Sequence, residues 1–176
     1  MNVLSEMEVR TFQYMMTKVP FNRSLVLGNQ LNQARTSLSG TLSYDEPICN
    51  KLRYAAAAHF NVPVENCEPL HLAKYTKGQE YKPHHDSCCD DTELCRAFKG
   101  KSGDRIGTML VYVTDDFEGG FTEFPHLEFS YKPKAGMAIF WETASCPDWA
   151  IHCGTPVING TKIIATVWVR EKKYVP

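Results

Sequence analysis

The chain has 176 residues, of which 43% are hydrophobic, a normal size and composition for one globular domain. Its 19 basic and 20 acidic residues give a net charge of -1. This balance excludes the basic excess that is typical of proteins binding nucleic acids or anionic membranes. No apolar stretch approaches the roughly 20 residues that a membrane-spanning helix needs. We therefore expect neither a nucleic acid nor a membrane as a partner.

The N-terminal residues and the cysteines bear on the cellular compartment. The chain begins Met-Asn-Val-Leu-Ser-Glu-Met-Glu, without the basic and apolar regions of a secretory signal, so we expect a cytoplasmic location. The seven cysteines are an odd number without C-x-x-C spacing, which favours free thiols over a disulfide framework. They are Cys49, Cys67, Cys88, Cys89, Cys95, Cys146 and Cys153.

Two helices are predicted in the first third of the chain. Ser5 and Glu8 form an S-x-x-E capping box, in which each side chain satisfies a backbone amide, and the helix should run to about Thr17. The second helix is predicted over Pro47 to Phe60, because a proline suits the first turn and apolar residues recur at helical spacing. We interpret this second helix as a packing element.

From Leu70 onward the pattern changes to short β-rich runs separated by Gly, Pro, Asn and Asp. Eight strands are predicted, over residues 70–75, 79–86, 107–114, 122–124, 128–133, 138–141, 152–158 and 161–170. Eight short strands indicate a sandwich or jelly roll. The two long irregular stretches, roughly 87–105 and 142–151, have a length that usually marks functional or mobile loops.

The densest group of residues able to do chemistry is the β-like run Tyr81-Lys82-Pro83-His84-His85-Asp86. Side chains alternate along a strand, so His84 and Asp86 share a face while His85 looks the other way. The first two are a candidate pair of metal ligands. A polar, solvated strand face would give the same pattern, so this pair by itself does not establish a metal site.

A second informative segment begins at His152 and contains Asn159-Gly160, a strong hairpin signal. A two-residue loop would turn Lys162 away from the face of His152, as an ordinary solvated lysine. A three-residue loop would place both on one face, together with Thr166, Trp168 and Arg170. The sequence leaves these alternatives open. A buried lysine is costly unless it meets an anion, such as the far carboxylate of a dicarboxylic co-substrate.

Two histidines and one carboxylate form the ligand set of non-haem Fe(II) oxygenases, which leaves half of an octahedral shell open. At this point the sequence resembles the 2-oxoglutarate and Fe(II)-dependent dioxygenases, specifically the prolyl 4-hydroxylase branch. The resemblance covers nearly the whole chain. It is carried by residues 21–24, 35–37, 62–66, 68–70, 75–81 and 84–86, by Arg105, Thr108 and Leu110, and by residues 117–125, 133–136, 139–141 and 152–170.

The resemblance implies roles for individual residues. His84, Asp86 and His152 would ligate iron, and Lys162 would bind the distal carboxylate of 2-oxoglutarate. Tyr75 would hydrogen-bond the same carboxylate, and Thr122 on the opposing sheet is a weaker candidate. Four positions would lie toward the substrate, namely Tyr81, Arg105, Trp168 and Arg170. The non-functional alternative for these four is a core aromatic ring or a solvated arginine.

The resemblance also implies the fold, the reaction and the cofactors. We expect a double-stranded β-helix (jelly roll), with residues 1–176 forming a single domain that has helical support over about 1–68 and a core over about 69–172. Fe(II), 2-oxoglutarate, O2 and the reductant ascorbate would serve the 4-hydroxylation of proline in a peptide or protein, yielding succinate and CO2. Asp86 favours hydroxylation, because halogenating relatives carry a small residue at that position.

The sequence departs from the family pattern at three places. The stretch between Ser24 and Arg35, which normally contributes a flap over the peptide, is short. Cysteines at 88, 89 and 95 replace the aromatic residues that commonly follow the metal-binding aspartate, and Cys153 replaces a small residue. Peptide recognition is therefore expected to differ from that of the relatives.

Three alternatives have different consequences. In a non-catalytic zinc module, Cys88, Cys89 and Cys95 would join a histidine, but such a module leaves Lys162 unexplained. A cupin-type isomerase, or a dioxygenase that needs no keto acid, would keep the metal and have no use for this lysine. An oxygenase acting on nucleic acid would need a basic surface, which the composition does not offer.

Overall fold

The computed structural model describes residues 1–25, 33–132 and 134–176. The helices are α1 (Glu6–Met16), α2 (Pro47–Phe60) and α3 (Glu93–Lys99). The strands are β1 (Asn22–Arg23), β2 (Leu38–Thr41), β3 (His71–Tyr75), β4 (Tyr81–His84), β5 (Arg105–Tyr112), β6 (Glu118–Gly119), β7 (Thr122–Phe124), β8 (Phe129–Tyr131), β9 (Ala138–Glu142), β10 (His152–Gly154), β11 (Val157–Asn159) and β12 (Lys162–Arg170). Short 3-10 helices cover Val64–Asn66, Pro125–Leu127 and Asp148–Ala150.

The strands form two main antiparallel sheets. The larger sheet has the order β1-β2-β3-β12-β5-β9, the smaller has the order β4-β10-β7-β8, and β11 pairs with β6. Strands that are distant in sequence therefore become neighbours, as in a jelly roll. The predicted mainly β, jelly-roll fold is confirmed.

Both faces of the central strands of the large sheet are buried, in two different cores. On β12, Ala165, Val167 and Val169 pack with the helices, whereas Ile164 belongs to the core between the sheets. This double burial explains why the strand reads as a continuous apolar run in the sequence. Strand β12 therefore has two buried faces, and the face with the even-numbered residues is directed into the barrel.

The two predicted helices lie on the outer face of the large sheet. The capping box at Ser5 forms as expected, with the Glu8 side chain accepting from the Ser5 amide and the Ser5 side chain accepting from the Glu8 amide. Helix α2 ends at Asn61, which adopts the left-handed conformation. No helix in the described part of the chain is long and apolar enough to cross a membrane.

The structure adds elements that the sequence patterns did not indicate. The stretch 87–105, expected to be irregular, contains α3, which is capped by the Thr92 side chain. Strands β1 and β2 extend the large sheet from within the N-terminal region, which was expected to supply helices. The strand predicted over 152–158 is two strands, because Thr155 and Pro156 interrupt it and β11 pairs with β6 instead.

The predicted Asn159-Gly160 hairpin is wrong. Strand β12 pairs with β3 and β5, so the turn connects two different sheets. Gly160 has a φ of +80°, and a Cβ atom there would lie 2.6 Å from the Asp116 carbonyl oxygen. The glycine therefore lets the chain pass tightly from one sheet to the other. Lys162 then lies on the inward face of β12 and lines the same cavity as His152.

The expectation of free thiols is also wrong for four of the seven cysteines. Cys88 is bonded to Cys95 and Cys89 to Cys146. The spacing of the cysteines does not indicate these pairs. Cys88 bonds to a cysteine on α3, a helix that was not predicted, and the other bridge spans 57 residues. The zinc module that we considered loses its thiolate ligands to these disulfides. The remaining cysteines, Cys49, Cys67 and Cys153, are free.

Candidate active site

Three side chains meet between the two sheets, near the pairing of β4 with β10. His152 lies directly opposite His84 in that pairing, and Asp86 follows two residues after His84. The Nε2 atoms of His84 and His152 lie 3.8 Å and 3.6 Å from the two Asp86 carboxylate oxygens. One ligand atom from each residue lies within 4.8 Å of the others. This spacing suits a single metal ion bound by two imidazoles and one carboxylate.

The backbone fixes which nitrogen of each imidazole is free. The His84 Nδ1 atom lies 2.8 Å from the Lys82 carbonyl oxygen, and the His152 Nδ1 atom lies 3.0 Å from that of Ala150. A carbonyl can only accept, so Nδ1 carries the proton in each ring and the Nε2 lone pair faces the cluster. Burial, reinforced by His152, lowers the pKa of His84 to about 3, so this imidazole is neutral at physiological pH. Neutral imidazoles are the form that binds metals.

Asp86 is held as an anion by its surroundings. Burial by itself would raise its pKa, but the neighbouring His152 and His84, together with Arg105 and a hydrogen bond from Thr108, lower it to about 2. The Thr108 hydroxyl donates to Asp86 Oδ2 over 2.6 Å. This threonine lies on β5 of the large sheet, so the hydrogen bond orients the carboxylate from across the barrel.

Lys162 stands at the other end of the same cavity, on the inward face of β12. It is 2% exposed, and its ammonium group donates to the Gly120 carbonyl oxygen over 2.7 Å. Burial lowers its pKa to about 7. No carboxylate among the described residues forms an ion pair with it. A desolvated ammonium group without an anion is costly, so the cavity is suited to receive one.

Three polar side chains surround the lysine. Tyr75 is its direct neighbour across the β3–β12 pairing and lies 5.3 Å, by ring centroid, from the ammonium nitrogen. Thr122 is buried in the same cavity, and its hydroxyl is hydrogen-bonded to that of Tyr112. Tyr112 is not among the site residues predicted from the sequence. Its signal was available, because it shares the inward face of β5 with Thr108.

Comparison with known proteins places this arrangement in a family. The sequence profile described as "2OG-Fe(II) oxygenase superfamily" matches residues 70–170, which include all three candidate metal ligands and Lys162. The chain belongs to this superfamily. The match spans β3 to β12, the part of the chain that builds the barrel and the cavity.

Individual members of this superfamily resemble the chain over most of its length. A protein of Acanthamoeba polyphaga mimivirus that bears the name prolyl 4-hydroxylase is 34% identical over 93% of this chain and 80% of its own length. Prolyl 4-hydroxylase 1 of Arabidopsis thaliana is 35% identical over 80% of this chain, but only 55% of its own length is covered. The viral collagen prolyl hydroxylase of Paramecium bursaria Chlorella virus-1, solved in complex with 2OG, superposes with a TM-score of 0.74 at 27% identity, over 96% of this chain and 92% of its own.

The four residues expected to lie toward the substrate are in two different environments. Tyr81 and Trp168 line the oxygenase cavity. Arg105 and Arg170 instead bind Glu68, with Nε–Oε1 distances of 2.7 Å and 2.6 Å. Arg170 is 5% exposed, and neither arginine reaches the cavity wall. The sequence could not anticipate this, because the arginines meet Glu68 only after β5 and β12 pair.

Arg105 supports the oxygenase site from behind. Its guanidinium carbon lies 3.6 Å from the ring centroid of Trp168, and its Nη1 donates to the Asp86 carbonyl oxygen over 3.3 Å. The Glu68 carboxylate accepts from both Nε and Nη2 of the arginine, a bidentate pair. Arg105 therefore positions one cavity wall and the backbone of one candidate ligand.

Two further cavity residues had little or no signal in the sequence. Arg35 lines the cavity, with its guanidinium 4.9 Å from the Tyr81 ring centroid and its Nη2 2.8 Å from His71 Nε2. Its only signal was its place in the Arg-Thr-Ser motif of the family resemblance. Cys153 also lines the cavity as a free, half-buried thiol. The short stretch between Ser24 and Arg35 lies mostly outside the described residues.

Thr108→Val tests whether the cross-barrel hydrogen bond holds the metal carboxylate. We expect Fe(II) affinity to fall about tenfold, because groups that orient metal ligands typically contribute that much. Anaerobic Fe(II) titration measures the change. Thr108→Ser keeps the hydroxyl and should restore most of the affinity. Equal affinities for the valine and serine variants would contradict the assignment.

Proposed function

We propose that the chain is an Fe(II)- and 2-oxoglutarate-dependent dioxygenase that hydroxylates proline at the 4-position in a peptide or protein. The observation that carries the proposal is the pairing, within one cavity, of a two-histidine, one-carboxylate cluster with the buried, unpaired ammonium group of Lys162. The cluster fits Fe(II) by its donor set. The ammonium group fits the distal carboxylate of 2-oxoglutarate by its charge and burial.

The residues of the cavity would have separate roles in the reaction. When bound, Fe(II) supplies the oxidation, in which O2 and 2-oxoglutarate give succinate, CO2 and one oxygen atom inserted into a substrate C–H bond. His84, Asp86 and His152 would hold the metal on one side and leave its other positions open. Lys162 would anchor the co-substrate, with Tyr75 and Thr122 beside it. Burial of Lys162, Tyr75 and Thr122 would keep water away from the bound carboxylate.

The wall that faces the proposed substrate is aromatic. Tyr81 stacks on His84 with a centroid distance of 3.5 Å, and Trp168 and Arg35 line the same cavity. Aromatic-lined grooves suit proline in an extended polyproline II segment. The prolyl 4-hydroxylase relatives support this substrate class. Ascorbate as the reductant is proposed on the family resemblance, and a cytoplasmic location stays a prediction.

Turnover is the direct test. With Fe(II), 2-oxoglutarate and a proline-rich peptide, the protein should release succinate in proportion to peptide that gains one oxygen atom, detected by mass spectrometry. Asp86→Ala, which removes one metal ligand, should abolish both products. Succinate release that does not respond to any proline-rich peptide would contradict the proposed substrate, and absence of succinate would contradict the proposed reaction.

Lys162→Met tests the co-substrate anchor. The loss of a charge-assisted contact of about 1.5–3 kcal/mol should raise the Michaelis constant for 2-oxoglutarate about 10- to 150-fold. The matched control is Lys172→Met, which changes an exposed lysine and should leave the constant unaltered. Methionine should not lower the melting temperature, because no carboxylate among the described residues pairs with the buried native ammonium group. An unchanged Michaelis constant would favour a dioxygenase that needs no keto acid.

The pH dependence of co-substrate binding follows from the depressed pKa of Lys162. Only the protonated ammonium pairs with the carboxylate, and in the free protein it is protonated below about pH 7. Affinity for 2-oxoglutarate should therefore be greatest below about pH 7 and fall above it, by at most tenfold per pH unit. Calorimetry in buffers of different ionisation enthalpy should show proton uptake at about pH 8. Proton uptake that persists in Lys162→Met would assign the effect to another group.

A further inference from the structure

The segment that leaves the metal site is tied down by two disulfides. Cys88 is bonded to Cys95 on α3, and Cys89 is bonded to Cys146 in the loop after β9. The Ser87 hydroxyl lies 2.7 Å from the Arg105 carbonyl oxygen and 2.9 Å from that of Thr143. The residues directly after Asp86 are therefore fixed both to α3 and to the loop after β9.

The Cys89–Cys146 bridge connects the two segments that carry the metal ligands. Cys89 lies three residues after Asp86, and Cys146 lies six residues before His152. Those two ligands belong to strands or strand ends that meet at the β4–β10 pairing. The bridge thus joins covalently the segment that follows Asp86 to the segment that precedes His152, and its integrity bears on how firmly these two ligands are held.

The backbone at one end of this bridge is strained. Ser145 and Cys146 have φ angles of +61° and +48°, in the left-handed region that residues other than glycine rarely adopt. Such a conformation persists only where the surrounding structure imposes it. The disulfide is a covalent restraint at that point, so its cleavage would let the loop before His152 relax.

The two bridges differ in their access to solvent. Cys88 and Cys95 are 5% and 4% exposed, whereas Cys89 is exposed and Cys146 is half-buried. Cys88, Cys89 and Cys146 line one surface cleft, and Cys89 is the exposed residue among these three. Thiol–disulfide exchange requires direct attack on a sulfur atom. The Cys89–Cys146 bridge, here called the outer bridge, is therefore open to a reductant at Cys89, whereas burial shields the Cys88–Cys95 bridge, here called the inner bridge.

We propose that Cys89–Cys146 is a thiol–disulfide exchange site for dithiol reductants, and that its cleavage weakens the hold of the protein on Fe(II). A thiolate of the dithiol attacks the Cys89 sulfur, the bond between the two cysteines breaks, and Cys146 leaves as a thiolate that takes a proton. The second thiol of the reductant then displaces Cys89. The dithiol is oxidised to its cyclic disulfide, and the protein gains two electrons and two protons.

The proposal rests on the proposed function only in the identity of the metal. Exposed bridges are typically the labile or regulatory ones, whereas a buried bridge such as Cys88–Cys95 is typically structural.

Differential alkylation followed by mass spectrometry tests the exchange site. Under limiting dithiothreitol, Cys89 and Cys146 should become alkylated at least ten times faster than Cys88 and Cys95. Equal rates, or a faster inner bridge, would overturn the proposal. So would isolation of the protein with these thiols reduced and holding zinc, for which His85 stands as a third ligand within 4.8 Å.

Fe(II) titration tests the effect on the metal site. Cys89→Ser/Cys146→Ser should bind Fe(II) about tenfold more weakly than the oxidised native protein. Native protein treated with dithiothreitol and then freed of it anaerobically should show the same loss, and reoxidation should reverse it, which separates the effect from misfolding. The matched variant Cys88→Ser/Cys95→Ser keeps the outer bridge and should still respond to the dithiol.

Each outcome distinguishes this inference from the proposed function. An Fe(II) affinity that changes less than twofold on cleavage of the bridge would overturn the inference, whether or not the protein turns over. A redox-dependent affinity without any succinate production would leave the inference standing and remove the proposed oxygenase reaction. The titration and the alkylation both proceed without co-substrate or peptide.

Discussion

The antiparallel pairing of β4 with β10 is the contact on which the candidate site depends. It places His84 opposite His152, and it brings Asp86, just beyond the end of β4, within reach of both imidazoles. A slip of one residue would turn one histidine to the other side of the sheet and dissolve the cluster. The register is therefore as important to the candidate metal site as the identity of its three residues. The Thr108 hydrogen bond to Asp86 adds a link from the opposite sheet.

The position of Lys162 follows from a similar constraint on the large sheet. Strand β12 is central and buried on both faces, so a charged residue on it cannot reach solvent. The ammonium group of this lysine consequently donates a hydrogen bond to one carbonyl oxygen, and burial lowers its pKa to about 7. Such a group destabilises the free protein and favours an anionic ligand. The cavity is thus prepared for a carboxylate before any ligand arrives.

Glu68 binds two arginines that were predicted from the sequence to lie toward the substrate. Its carboxylate holds Arg105 and Arg170, which removes both guanidinium groups from the cavity. Arg105 in turn supports Trp168 and the backbone of Asp86. Tyr81, Trp168 and Arg35 remain on the lining of the cavity. The disulfide at Cys89 belongs to the same supporting framework, since it continues from the segment that Arg105 anchors.

Local patterns determined much of this protein before any coordinates. The capping box at Ser5 specified the start of α1, alternation separated His84 and Asp86 from His85, and the apolar run over β12 indicated a buried strand, because each depends on residues close in sequence. The same patterns, joined by the family resemblance, identified the metal ligands and Lys162 as candidates.

Tertiary structure decided what depends on distant partners. Whether Lys162 faces inward turned on which sheet β12 joins, and the hairpin signal at Asn159-Gly160 gave the wrong pairing because a turn motif does not specify the neighbouring strand. The bonding of Cys89 to Cys146 and the use of Arg170 by Glu68 are contacts across 57 and 102 residues. No local rule reaches that far, since such contacts form only when the whole chain has packed.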